Sequence, residues 1–225
     1  LGLFGLRAPP FVNRSAACDV IWQALHEVVE QQTYRSVFVT GEAGTGKSRL
    51  AEWMATRAHE VGAARVLRAV HSSGGEPSEG LRGSLEETLR TLKMDRGAVF
   101  EHLRETLPPL EEGEADWRER DALALTEYLR PTDNAADDVD GPRYRFSSAD
   151  QRRALVARTL QRLAHRRPVL LWIDDLQWGR ETLGVLEHLA GKTRDPAGLL
   201  VVATLRSEIV DERDDLRERL TALAE

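Results

Sequence analysis

The sequence predicts an α/β fold in which helices cover both faces of a parallel β-sheet. Four short apolar segments have the length and near-continuous hydrophobicity of buried strands: 35–40, 64–70, 168–175 and 198–205. Between these segments the apolar residues return to the period of a helix. Alternating strands and helices are typical of a parallel sheet with right-handed crossovers, which gives a doubly wound layer.

The helices expected around these strands follow from apolar residues at helical spacing. The pattern predicts helices at 15–32, 47–61, 148–165 and 180–191, and a last helix from about Asp211.

Residues 71–147 are less regular, and we expect them to form a helical insertion. Four leucines at spacings of four, four and three predict one apolar helix face there: Leu81, Leu85, Leu89 and Leu92. Two further helices are expected, around 100–107 and within 111–130, and the acidic, unpatterned stretch 131–141 is expected to be a mobile loop.

The composition excludes several classes of protein. The chain has 225 residues, of which 41% are hydrophobic and 30% charged, and no apolar run approaches the length of a membrane span. Cys18 is the only cysteine, so an internal disulfide is impossible, and the start of the chain lacks the features of a signal peptide. A net charge of −6 argues against a chain-wide nucleic-acid surface. We therefore expect a cytoplasmic protein.

The segment GEAGTGKS at 41–48 lies between a predicted strand and a predicted helix and fits the pattern G-x-x-x-x-G-K-[ST]. Glycines let successive backbone N–H groups converge on an anion, and the following helix adds its positive end. Lys47 can reach the β- and γ-phosphates, and Ser48 can ligate Mg²⁺. The alternative is a strand–helix corner with a surface lysine. The spacing and context favour a nucleotide phosphate site.

The apolar run VLLWIDD supplies acidic residues at the end of another strand. We expect Asp174 to hold Mg²⁺ and Asp175 to orient or deprotonate the attacking water. The alternative for Asp175 is that it starts a turn or caps the helix near Gly179.

The fourth predicted strand, GLLVVATLR at 198–206, is expected to lie between the phosphate-loop strand and the acidic strand. A complete strand and several helices separate those two motifs, which is the arrangement of P-loop proteins with an inserted strand. Arg206 would then end beside the γ-phosphate, although an exposed arginine is the simpler interpretation. The guanine-reading motif N/T-K-x-D is absent from the sequence.

Four segments together resemble the STAND class of AAA+-related signalling ATPases: PPFVNR at 9–14, GEAGTGKSRLAE, RPVLLWIDDLQW and VVATLRSE. The closest type is the bacterial module found beside LuxR-type DNA-binding, cyclase or Ser/Thr kinase domains. The resemblance implies a three-layer P-loop NTPase fold of the ASCE type, with residues 1–225 forming one ATPase core and a lid with a winged helix expected beyond residue 225. It also implies that 11–14 packs near the adenine, where Asn13 replaces the usual glycine.

The motifs and the resemblance together give three sets of candidate site residues. The catalytic candidates are Lys47, Asp175 and Arg206, and the metal candidates are Ser48 and Asp174. The nucleotide-contacting candidates are Phe11, Val12, Arg14, Gly41, Glu42, Ala43, Gly44, Thr45, Gly46, Lys47, Ser48 and Arg49.

The expected function is a regulatory switch that binds Mg·ATP or ADP, hydrolyses ATP slowly and signals its nucleotide state to effector domains in the same polypeptide. ATP-dependent self-association of the full-length protein is among the expected partnerships, and a membrane partner is not. One alternative is a nucleic-acid loader or initiator, whose contact candidates are Arg143, Arg145, Arg152, Arg153, Arg158, Arg162, Arg166 and Arg167. We interpret these arginines as a solvated helix face. The other alternative is a small-molecule kinase.

Overall fold

A four-stranded parallel sheet forms the centre of the part of the chain that the computed structural model describes, which is residues 14–75, 80–108, 115–132, 143–191 and 198–224. The strands are β1 (Tyr34–Gly41), β2 (Arg65–Val70), β3 (Val169–Asp174) and β4 (Leu199–Arg206). Their order in the sheet is β1-β4-β3-β2, and every neighbouring pair is parallel. The α/β fold and the position of β4 between the other two motif strands are therefore confirmed.

Helices connect and flank the strands. In chain order they are α1 (Ser15–Gln31), α2 (Lys47–Glu60), α3 (Leu81–Thr88), α4 (Arg96–Thr106), α5 (Ala115–Leu129), α6 (Ala149–Arg166), α7 (Arg180–Ala190), α8 (Ser207–Glu212) and α9 (Asp214–Ala224), with a 3₁₀ turn at Leu176–Trp178 before α7. Among these helices, none is both long enough and apolar enough to cross a bilayer.

The sheet separates two hydrophobic cores. On one face, side chains of α1 and α2 pack against alternate residues of the central strands, such as Leu170 and Trp172. On the other face, α3 to α7 and α9 cover the intervening residues, such as Leu171 and Ile173. Because β3 and β4 are buried on both faces, their sequences are continuous apolar runs rather than alternating ones.

Two predicted helices have different boundaries in the structure. α3 ends at Thr88, and Leu92 is 54% exposed rather than part of the apolar face. Arg90 and Lys93 have φ angles of 59° and 65°, so the chain leaves the helical direction before it reaches Leu92. The prediction that Leu81 to Leu92 form one helix face is therefore wrong at its last residue.

The last predicted helix is two helices, and it begins before Asp211. α8 starts at Ser207, directly after β4, and ends where Arg213 takes an extended conformation with φ −119° and ψ 91°. α9 then runs back to β1, where the Ser36 hydroxyl donates to the Leu223 carbonyl at 2.6 Å.

The arginines of α6 are not a uniformly solvated face, which corrects our interpretation of them. Arg162 is 2% exposed and donates to Asp121 Oδ2 of α5 at 2.6 Å, while Arg158 donates to Oδ1 of the same carboxylate at 3.2 Å. These contacts join α5, which lies in the predicted helical insertion, to α6, which follows it. Most of the predicted loop at 131–141 lies outside the described residues.

Candidate functional site

The glycine-rich segment at 41–48 forms the turn between β1 and α2. Gly44 and Gly46 have φ angles of 78° and 80°, in the left-handed region where a side chain is strained. Thr45 closes the turn, since its hydroxyl donates to the Glu42 carbonyl at 2.8 Å. Gly46 is the N-cap residue of α2 and offers no capping side chain, and the first turn of the helix contains no acidic residue. The positive end of α2 therefore has no capping or acidic side chain of its own helix, which is a feature that a site for an anion requires.

Lys47 is held at this turn by the backbone. Only 7% of the residue is exposed, and its ammonium group donates to the carbonyl oxygens of Gly41 at 2.8 Å and of Glu42 at 2.7 Å. The ammonium group therefore lies inside the curve of the loop. A small movement of the side chain would let it donate to a phosphate instead.

Asp174, at the end of β3, meets the beginning of α2. Its Oδ1 accepts hydrogen bonds from the hydroxyl of Ser48 at 2.7 Å and from the hydroxyl of Thr204 at 2.6 Å. Two neighbouring ligands of an octahedral Mg²⁺ ion lie about 2.9 Å apart, so the Ser48 and Asp174 oxygens have the spacing that such an ion requires. The two predicted metal candidates are thus adjacent and fit the cation.

The described residues contain no group of three or more His, Cys, Asp or Glu that could hold a metal without help. A cation bound by Ser48 and Asp174 would need phosphate and water oxygens to complete its shell. Mg²⁺ in phosphate-transfer sites is usually held in this way, by one or two carboxylates and the substrate phosphates.

Asp175 and Arg206 are paired with each other. The arginine donates to the Asp175 carboxylate from Nη2 at 3.2 Å and from Nε at 3.4 Å, and this hydrogen-bonded pairing raises the pKa of Arg206. Gln177 also donates to Asp175 Oδ1, at 2.9 Å. The catalytic candidates Asp175 and Arg206 therefore lie together, and each supplies hydrogen-bond partners to the other.

The backbone of Asp175 is left-handed, with φ 55° and ψ 47°, a conformation that aspartate tolerates better than most residues. Its carbonyl accepts from the Trp178 N–H at 3.1 Å, which starts the 3₁₀ turn before α7. The turn-forming alternative for Asp175 thus has a geometric basis beside the catalytic prediction.

Arg14 contacts the phosphate loop, because its guanidinium donates to the carbonyl of Thr45. This places Arg14 at the loop itself. Arg49, in the first turn of α2, is half-buried. Phe11 and Val12, which the resemblance places near the adenine, lie outside the described residues.

Two polar residues at this edge of the sheet were not among the sequence predictions. Gln177 bridges the ends of β3 and β4, because its Oε1 accepts from the Arg206 N–H at 3.3 Å while its amide binds Asp175. Glu208, in α8, accepts a hydrogen bond from the Ala43 N–H of the loop at 3.2 Å. The available signal was their position, since both shortly follow strands whose carboxyl ends meet at one edge of the sheet.

The chain was compared with curated proteins and with models of protein families. A search of curated proteins finds no match. A family model described as an AAA ATPase domain matches residues 10–202, which is most of the chain and includes the phosphate loop, Asp174 and Asp175. With this match, and with the glycine-rich loop at the start of α2 beside the two candidate metal ligands, we conclude that the chain belongs to the AAA ATPase domain family.

Proposed function

We propose that this protein is a regulatory nucleotide switch of the STAND class, which binds Mg·ATP or ADP, hydrolyses ATP slowly and passes its nucleotide state to effector domains in the same polypeptide. Membership in the AAA ATPase domain family supports ATP binding and ATPase chemistry as the general function. The STAND assignment, the slow turnover and the signalling role are the parts that we add.

The phosphate loop supplies the binding step. Lys47 would exchange its two carbonyl partners for the β- and γ-phosphate oxygens, and the free N–H groups at the start of α2 would donate to the phosphate chain. Ser48 and Asp174 would hold the magnesium ion, whose charge neutralises phosphate oxygens when it is bound.

The observation that carries the proposal of slow hydrolysis is the ion pair between Asp175 and Arg206. Hydrolysis requires a carboxylate that can orient water and a cation that stabilises charge on the γ-phosphate. Here the carboxylate accepts two hydrogen bonds from the arginine and one from Gln177, so both groups must change partners before they act. In such a site the phosphate-binding groups are in place while the hydrolytic groups are paired with each other. We therefore expect ATP to bind readily and to be hydrolysed slowly.

The continuation of the chain after Arg206 offers a route for signalling. Arg206 is followed directly by α8, and Arg213 at the end of α8 donates to the Gln177 carbonyl at 3.3 Å. α9 then packs against β1. A movement of Arg206 toward a γ-phosphate would therefore pull on α8 and α9, and this geometry supports a switch whose output lies toward the carboxyl-terminal side.

The nucleic-acid alternative has less support. Of its contact candidates, Arg158 and Arg162 bind Asp121, and Arg152 and Arg153 lie 3.4 Å and 3.3 Å from Glu181. These arginines are used within the protein. Salt-dependent DNA binding by this chain would revive the alternative.

The test is a calorimetric titration with Mg·ATP and, as a control, with Mg·GTP, on the parent protein and on Lys47→Ala. We expect ATP binding by the parent, no comparable GTP binding, and at least a tenfold loss of ATP affinity in Lys47→Ala because the loop loses its charge. The matched control is Arg57→Ala, which removes an exposed charge from the same helix. That arginine pairs with the similarly exposed Glu60 and lies over the Trp53 ring. Equal ATP affinity in Lys47→Ala and the parent would refute the nucleotide site.

A further inference from the structure

Glu208 reaches from α8 to the phosphate loop. Its carboxylate accepts a hydrogen bond from Ala43, the third residue of the loop, at 3.2 Å. The backbone N–H of Glu208 itself, then that of Ala43, and the nearby charge of Lys47 lower the pKa of the Glu208 carboxyl. The group is therefore negatively charged at neutral pH, within the field of the lysine that we expect to bind phosphate.

The register of the sheet places this contact on the side of the loop where hydrolysis would occur. Arg206 is the direct β4 neighbour of Gly41, the first residue of the loop, and Glu208 follows Arg206 by two residues. The N–H groups at the start of α2 lie at the other end of the loop, where a helix terminus binds phosphate. Ala43 and Glu208 thus belong to the end of the loop beside Arg206, the residue that we expect to contact a terminal phosphate.

A γ-phosphate at this end would meet an existing anion. It would compete with the Glu208 carboxylate for the Ala43 N–H and for the field of Lys47, and two like charges at close range repel. ADP has no γ-phosphate and would leave the contact largely intact. The carboxylate therefore opposes ATP more than ADP.

We propose that Glu208 sets the preference of the site between ATP and ADP, by occupying with its carboxylate the side of the loop that the γ-phosphate needs. The proposal rests on the nucleotide-switch function proposed above. ATP must displace the carboxylate from Ala43. Because Glu208 lies in the first turn of α8, this displacement would also move the start of that helix. The Glu208 carboxylate competes with the terminal phosphate for the loop, and its displacement couples the binding of ATP to α8.

The test compares affinities for Mg·ATPγS and Mg·ADP, measured by calorimetry, in the parent and in Glu208→Gln. Glutamine keeps the shape and an acceptor for the Ala43 N–H but removes the charge. We expect ATPγS to bind about tenfold more tightly in Glu208→Gln and ADP to change by less than about twofold. The matched control is Glu212→Gln, an exposed carboxylate at the end of the same helix, which should keep both affinities of the parent.

A second variant checks the contact without any nucleotide. In Glu208→Ala the amide of Ala43 loses its acceptor, so its hydrogen exchange with solvent, followed by NMR, should become faster than in the parent and in Glu208→Gln. An Ala43 amide that exchanges at the same rate in all three proteins would show that the contact is not made in solution.

Several results would overturn the proposal. An equal gain for ATPγS and ADP, or a loss of ATPγS affinity, would mean that the carboxylate does not discriminate by the terminal phosphate. Unchanged affinities with lost ATP turnover would make Glu208 a water-orienting group instead. Failure of the switch function itself has a different signature, because then the parent and every variant would bind neither nucleotide.

Discussion

At the scale of single residues, Asp174 connects several elements of the site. Its Oδ1 accepts from Ser48 of α2 and Thr204 of β4, and its backbone carbonyl accepts from His71, which follows β2. The carboxylate thereby joins α2 to β4 and the backbone carbonyl joins β3 to the end of β2, which keeps the Mg²⁺ candidates in register with the phosphate loop.

The ion pair next to Asp174 gives a prediction about turnover. We expect Asp175→Asn to keep ATP affinity within a few-fold of the parent and to lose about 100-fold or more in the rate of phosphate release, because an amide cannot accept a proton from water. The measurement is steady-state phosphate release together with a binding titration.

The control for losing an aspartate–arginine pair is Asp214→Asn, because Asp214 binds Arg217 at 2.6 Å in an exposed position. We expect that variant to hydrolyse ATP at the parent rate. If Asp175→Asn also hydrolyses ATP at the parent rate, its role is limited to the turn before α7.

At the scale of elements, the contact between α5 and α6 depends on a buried charge. Arg162 is 2% exposed and Asp121 is 7% exposed, and no apolar contact can replace their charge-assisted hydrogen bond when one partner is removed. Periodicity alone suggested a solvated arginine face, because the spacing of residues in a helix does not reveal which neighbouring helix will carry a carboxylate.

This buried ion pair predicts that the fold loses stability when Asp121 is removed. Asp121→Ala should lower the free energy of unfolding by about 3–5 kcal/mol, because it leaves the Arg162 guanidinium buried without its carboxylate. Urea unfolding followed by circular dichroism measures the loss. Asp214→Ala, which breaks the exposed pair with Arg217, should change stability little. Similar small effects in both variants would mean that water reaches Arg162.

At the scale of the whole molecule, the phosphate site is assembled from elements that are distant in sequence. The loop follows β1, the candidate metal ligand Asp174 ends β3, and Arg206 ends β4. The order β1-β4-β3-β2 brings these ends to one edge. A ligand bound there would contact elements that pack into both hydrophobic cores. Binding should therefore stabilise the folded chain as a unit.

The corresponding prediction uses the unfolding transition. Mg·ATPγS at about 100 times its dissociation constant should raise the free energy of unfolding by about 2.7 kcal/mol, since it binds only the folded state. Urea titrations with and without the nucleotide measure this gain. At the same nucleotide concentration, Lys47→Ala should show little of it and Arg57→Ala all of it. A gain of the same size in Lys47→Ala would place the nucleotide elsewhere.

The sequence by itself determined the features that depend on neighbouring residues. Short apolar segments predicted all four strands, of which β3 and β4 are buried on both faces. The glycines, Lys47 and Ser48 predicted the phosphate loop, because backbone conformation is encoded locally. Asp174 could be predicted for the same reason, as an acid directly after a buried strand.

Only the tertiary structure decided the contacts between residues far apart in the chain. Asp175 pairs with Arg206 across 31 positions, Arg162 with Asp121 across 41, and Glu208 with Ala43 across 165. A charged residue has the same local pattern whether it faces water or a partner. Which one it meets depends on how the helices and strand ends pack, and that packing is a property of the whole fold.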